Sequence, residues 1–114
     1  MKKYPRLTEE GAWRTEADGR RYGGFYTQEE VKRVVRYAAE RGITVVPEVE
    51  FPGHCRAALA SYPQLGCRKD TLPVPTTWGI FQDVYCIGQE ATWTFMQDVL
   101  DELVPLFPSA YFHI

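Results

Sequence analysis

Beyond Lys69 the sequence has no lysine or arginine. Residues 71–114 carry five acids and no base, whereas residues 1–70 hold all 13 basic residues and 10 of the 15 acids. The whole-chain net charge is only −2, with a pI near 5.7. That balance excludes the basic footprint of a nucleic-acid binder or of a protein that docks on an acidic membrane surface. The two halves read as surfaces that partly neutralise each other on folding. No apolar run approaches the ~18 residues of a membrane span. Met1-Lys2-Lys3 is basic, but Tyr4-Pro5-Arg6 follows instead of an apolar stretch, so no targeting signal is legible. Cysteine is scarce: Cys55, Cys67 and Cys86 are odd in number and form no C-x-x-C pair. They fit neither a disulfide framework nor a zinc ribbon, and Cys67 and Cys86 read as plain thiols. Repeats and low-complexity segments are missing.

What remains is a globular composition, with 45% hydrophobic, 14% aromatic and 25% charged residues, enough for one domain with one core. Residues 1–26 are polar and glycine-punctuated and predict irregular structure, pinned by aromatics such as Tyr4 and Trp13. Thr27 with Glu30 spells a capping box, and Val31, Val34, Val35, Ala38 and Ala39 recur at helical spacing, predicting a helix over 27–41 stopped by Gly42. Ile43-Thr44-Val45-Val46 is β-branched and apolar on both faces, as a buried parallel strand should be. Helix, glycine turn and buried strand together form the α-to-β half of a βαβ unit. Residues 55–62 predict a short helix and 63–88 a long loop. The spacing of Trp93, Met96, Leu100, Leu103 and Phe107 predicts a helix over 89–107, with Trp93 in its core stripe and Pro105 distorting its end. A further strand begins at residues 110–114.

The chemistry-bearing stretch is Pro47-Glu48-Val49-Glu50-Phe51-Pro52-Gly53-His54. It places two carboxylates and an imidazole at the C-terminal end of a parallel strand, where ligands bind in α/β folds. Glu48 and Glu50 share one side of the extended chain, and Val49 and Phe51 the other. Two strands and two main helices do not close a layer, and the sequence stops four residues into an apolar strand. The expectation is a piece of a larger α/β protein.

Several ordered motifs carry a family resemblance. The runs Tyr22-Gly23-Gly24-Phe25-Tyr26-Thr27-Gln28-Glu29-Glu30 and Gly42-Ile43-Thr44-Val45-Val46-Pro47-Glu48-Val49-Glu50-Phe51-Pro52-Gly53-His54 resemble glycoside hydrolase family 20, the β-N-acetylhexosaminidases. So do Lys3-Tyr4-Pro5-Arg6-Leu7-Thr8, Gly11-Ala12-Trp13-Arg14, Ala57-Ala58-Leu59-Ala60-Ser61-Tyr62-Pro63, Leu106-Phe107-Pro108 and Tyr111-Phe112-His113-Ile114. The resemblance runs through the whole chain in order. It implies a (β/α)₈ barrel, of which ~250 residues are typical, with 43–50 as the third strand and 110–114 as the start of the fourth. It also implies substrate-assisted, retaining hydrolysis of terminal N-acetylhexosamine residues, an exception to the two-carboxylate scheme. The substrate's acetamido oxygen attacks the anomeric carbon, a Glu protonates the leaving oxygen and then activates water, and an adjacent Asp orients the acetamido group. In the family that Asp-Glu pair follows the His-Ile matched by His113-Ile114. No catalytic residue is therefore expected within this chain, and the chain alone is expected to be inactive.

The resemblance places His54 beneath the acid/base Glu as a hydrogen-bond partner able to tune its proton affinity, with the imidazole's own carboxylate partner upstream of Met1. Glu48 and Glu50 are either barrel-interior carboxylates satisfied by neighbouring strands or a polar layer below the sugar. Asp is also common in the family where Glu50 stands. His113 is a core residue or a support for the absent pair. Trp78, in the long loop, is a possible sugar contact. A metal site built from Glu48, Glu50, His54 and His113 is disfavoured, so neither metal nor cofactor is expected. The implied partners are N-acetylglucosaminide or N-acetylgalactosaminide glycans, which imply an exported parent enzyme. Unpaired strand edges and uncovered helix faces predict self-association into a homo-oligomer. A competing reading is a non-catalytic carbohydrate-binding or self-assembling α/β module.

Overall fold

A computed structural model describes residues 1–114. Helix α1 spans Arg6–Glu9, and an antiparallel hairpin follows, with β1 at Trp13–Thr15 and β2 at Arg21–Gly23. Helix α2 spans Gln28–Ala39, α3 Arg56–Ser61 and α4 Glu90–Leu103, with 3₁₀ turns at Pro63–Leu65 and Val104–Leu106.

The hairpin corrects the expectation of irregular structure before residue 27. Its strands are three residues each, too short to display alternation, and it closes through Gly19 at φ 82°. Arg21 stacks its guanidinium 4.4 Å from the Trp13 ring. Tyr4 does act as a pin, its ring 4.6 Å from Phe95.

Helix α2 forms as its local signals dictate. The Thr27 side chain accepts from the Glu30 amide while the Glu30 carboxylate accepts from the Thr27 amide, so both free donors are satisfied. Gly42 ends the turn at φ 70°. Of the α2 stripe only Val35 is buried, and Val34 stays 55% exposed.

The core lies between α3 and α4. Cys55, Leu59, Leu65, Tyr85, Phe95, Met96 and Val99 form one cluster, flanked by Tyr4, Leu7, Val49 and Phe51. The buried face of α4 is Thr92, Phe95, Met96 and Val99. It is rotated from the expected stripe because Phe95, ringed by Tyr4, Tyr62 and Tyr85, takes the central place. Trp93 is consequently 45% exposed rather than in the core, its indole N–H donating to the Ile87 carbonyl. Pro105 converts the helix end to 3₁₀, as expected.

The segment 43–46 is not a strand here. Ile43 and Val46 are 58% and 49% exposed, and the segment makes no ladder bonds. Strand character depends on neighbours, and the sole parallel contact is one residue pair, Glu48 with His113. It is made by His113 N–H donating to the Pro47 carbonyl (2.9 Å) and Val49 N–H to the His113 carbonyl (2.8 Å).

The long loop is stapled. Gly66 bridges Tyr85 antiparallel, and the neighbouring Cys67 and Cys86 form a disulfide with Cα atoms 4.7 Å apart. These cysteines are therefore not free thiols. The bridge brings together residues 19 apart in sequence, a proximity that no short spacing motif reveals. The charge halves do meet: Lys3 pairs with Asp98, and Arg56 and Arg68 pair with Asp83.

Candidate functional site

The site grows from the end of the parallel segment. Val49 and Phe51 turn into the core, where Phe51 stacks 5.7 Å from Tyr85. Alternation then puts Glu48 and Glu50 on the opposite side. A cis Phe51–Pro52 bond and a left-handed backbone at His54 (φ 50°) fold the chain back on itself. That turn brings His54 Nδ1 to 3.1 Å from Glu50 Oε2. Next to it, His113 Nδ1 lies 3.6 Å from Glu48 Oε2, across the parallel bridge. Two carboxylate–imidazole pairs thus stand side by side at the ends of two parallel segments.

All four side chains are between 42% and 67% exposed, so both pairs are open to water. In this structure the His113 side chain is 67% exposed, with the Glu48 carboxylate as its ionic neighbour. The carboxylates can fix the ring orientation of the histidines. No three His, Cys, Asp or Glu side chains are gathered as a metal-holding group. Trp78 is 98% exposed and is not brought into contact with His54.

Sequence reading missed a second cluster beside the turn. Arg56 donates to Asp83 Oδ2 at 2.6 Å, and Arg68 to Asp83 Oδ1 at 2.9 Å. The Cys55 thiol, pushed up by burial, points at the Asp83 carbonyl 3.6 Å away. No signal at separations of 15 and 27 residues could have joined these groups. A cleft of about 200 Å³ opens between His54 and this loop, with Arg14 of the hairpin on its rim.

Comparisons with known proteins identify the family. The model of glycosyl hydrolase family 20, catalytic domain, matches residues 1–114. A β-hexosaminidase of Porphyromonas gingivalis is 57% identical over the whole chain, which covers 15% of that protein. A β-hexosaminidase of Vibrio furnissii is 40% identical, again over the whole chain and 20% of its own length. Among solved structures, a mutant Streptomyces plicatus β-hexosaminidase in complex with GlcNAc superposes with TM-score 0.90 at 42% identity. The β-N-acetylhexosaminidase of Bacteroides fragilis does so with TM-score 0.82 at 47%. This chain is covered completely in both and spans 22% of each. It is an α/β portion of a larger domain. The strand-end carboxylates, the Pro-Gly-His turn and the full-length match converge on one assignment: the chain belongs to glycosyl hydrolase family 20.

Proposed function

We propose that this chain forms part of the active-site wall of a β-N-acetylhexosaminidase that removes terminal N-acetylhexosamine residues with retention, using the substrate's own acetamido group. Residues 43–50 are assigned to the third strand of a (β/α)₈ barrel and 110–114 to the fourth. The acid/base Glu and the orienting Asp are assigned to the segment after Ile114 in the parent chain, so residues here support the reaction rather than perform it. The carrying observation is the His54–Glu50 pair at 3.1 Å, built on the strand-end turn. It leaves Nε2 of the ring free to face the acid/base carboxyl. His54 thereby positions that carboxyl and shares its proton, with Glu48 and His113 forming a parallel support. The exposed apolar faces of α2 and 43–46 are surfaces for the rest of the barrel or for a second copy.

The test uses the full-length enzyme and an aryl N-acetyl-β-glucosaminide. His54→Asn keeps a residue that tolerates the left-handed backbone while removing the imidazole. It should lower kcat by about tenfold or more and move a limb of the pH–rate profile, since general acid–base contributions run to ~10²–10⁴. A variant with wild-type kcat and an unshifted profile overturns the reading.

A further inference from the structure

The cleft beside His54 is lined by more cationic groups than anionic ones. Arg14, Arg56 and the His54 imidazole share it with Asp83, the single carboxylate among the lining residues. Both oxygens of that carboxylate are already taken, Oδ2 by Arg56 at 2.6 Å and Oδ1 by Arg68 at 2.9 Å. Arg14 takes part in neither pair, and its side chain donates to no other acceptor. In a chain with an overall charge of −2, this surplus of guanidinium is a local feature with a local field.

The fold sets that surplus in place. Arg14 is the middle residue of β1, opposite Tyr22 across the hairpin, and alternation sends it away from the face of Trp13 and Thr15. Arg56 opens α3. Its guanidinium lies over the Phe81 ring, 5.1 Å from the centroid, while Asp83 holds Nη1. Its Nε is buried without an acceptor. Donors therefore outnumber acceptors around the cleft, an imbalance that one more acceptor relieves. Volume selects the size of that acceptor. The cleft's 200 Å³ or so falls below the ~300–1,000 Å³ of pockets that take drug-sized ligands, which suits one charged group with its water better than a whole sugar ring. Guanidinium forks match the oxygens of sulfate, phosphate and carboxylate.

We propose that this cleft binds an oxyanion, with Arg14 donating to it directly and Arg56, held by Asp83 and Phe81, supplying the second positive charge. The anion site itself stands on the cleft. Its biological ligand rests on the hexosaminidase reading above, under which the oxyanion is a sulfate ester, phosphate ester or carboxylate carried by the glycan; a free inorganic anion is the other source of the same chemistry. A neutral sugar leaves the charge of Arg14 uncompensated, whereas an anionic one gains charge-assisted hydrogen bonds. Asp83 touches no ligand; it acts by fixing Arg56.

The experiment is calorimetry on the full-length protein at constant ionic strength, with inorganic sulfate, O-sulfated N-acetylglucosamines and N-acetylglucosamine as probes against a chloride background. Wild type should bind sulfate in preference to chloride, and Arg14→Gln should weaken that binding by about tenfold or more, the loss of one charge-assisted hydrogen bond. Arg14→Lys, which keeps the charge but not the fork, should recover part of the loss. A sulfated sugar that binds more tightly than N-acetylglucosamine, with the gap closed in Arg14→Gln, identifies the oxyanion as sugar-borne. Equal binding of the sugars beside specific binding of inorganic sulfate identifies the free anion. Sulfate should also protect Arg14 from phenylglyoxal in the wild type, as mapped by peptide mass, a readout that needs no variant to fold. Sulfate binding no stronger than chloride, an Arg14→Gln affinity within twofold of wild type, or equal labelling of Arg14 with and without sulfate overturns the proposal. Cleavage of p-nitrophenyl N-acetyl-β-glucosaminide is assayed alongside: its absence in the wild type overturns the hexosaminidase reading and leaves the sulfate result to stand by itself.

Discussion

Removing the staple of the long loop should cost the folded state a worked amount. The perturbation is the paired change Cys67→Ala and Cys86→Ala in the full-length protein. The bond closes a loop of 19 residues' separation. In the chain-entropy account, releasing such a loop in the denatured state is worth about 3 kcal/mol at 25 °C. The Gly66–Tyr85 bridge and the Asp83 ion pairs survive the change and keep the native arm in place, so the loss falls mainly on the denatured ensemble. Denaturant unfolding of the oxidised wild type and the double variant reads the difference as a midpoint shift. A thiol titration of the denatured protein before and after reduction should differ by two for this pair. Trypsin offers a local check, because Arg68 and Lys69 lie inside the ring and are exposed. A stability loss under about 1 kcal/mol, with an unchanged tryptic rate at those sites, would refute the reasoning and assign the arm's order to its ion pairs alone.

Thr27→Ala removes one half of the capping box and should destabilise by about 1–2 kcal/mol, read from the same unfolding curves. Gly11→Ala should destabilise by about 1–3 kcal/mol through overpacking. Its new methyl would stand 2.7 Å from Ser61 Oγ and 2.9 Å from the Ala57 carbonyl, where α1 meets α3. Asp98 is held below the ordinary carboxylate range by hydrogen bonds from Lys3 and then Tyr4. Its contribution is present above the unfolded carboxyl pKa and is lost as pH falls through the folded value, so Asp98→Asn should flatten the acid limb of stability. Desolvation, aided by Asp98, pushes the Tyr4 phenol up to about 12 from 10.0. That contribution is present below pH 10 and disappears as pH rises toward 12. Tyr4→Phe should remove the alkaline dependence in a pH series of unfolding midpoints.

The legible parts of this fold are those whose cause is local. Helix α2 follows from a capping box three residues wide and a glycine at its end, so any window containing 27–42 suffices. The alternation that turns Glu48 and Glu50 away from Val49 and Phe51 is equally local. Helix α4 was legible in place but not in rotation, because the face it buries is chosen by Tyr4, Tyr62 and Tyr85, which arrive from elsewhere in the chain. The disulfide and the Asp83 cluster were illegible for the same reason, since their members meet only after residues 66 and 85 have paired. The segment 43–46 has strand residues without strand partners, and no local pattern can report whether a partner is present. Of the candidate site, His54, Glu48 and Glu50 were singled out by motif and spacing. The contact of His54 with Glu50 was not, because it depends on the left-handed turn at His54 itself.

The single parallel bridge between Glu48 and His113 also provides an isotope clock. The amides of Thr44, Val45 and Val46 donate to no backbone carbonyl, whereas the Val49 amide is engaged by His113. In deuterated water the first three should exchange near the rate of an open chain and Val49 more slowly. Successive amides of an extended chain face opposite edges, so a strand docking on the His113 side should slow Val45, which shares that edge with Val49, and one docking on the other side should slow Thr44 and Val46. Their exchange rates therefore report, residue by residue, how far the sheet around this segment has been completed, with Pro47 supplying a proton-free marker at its edge.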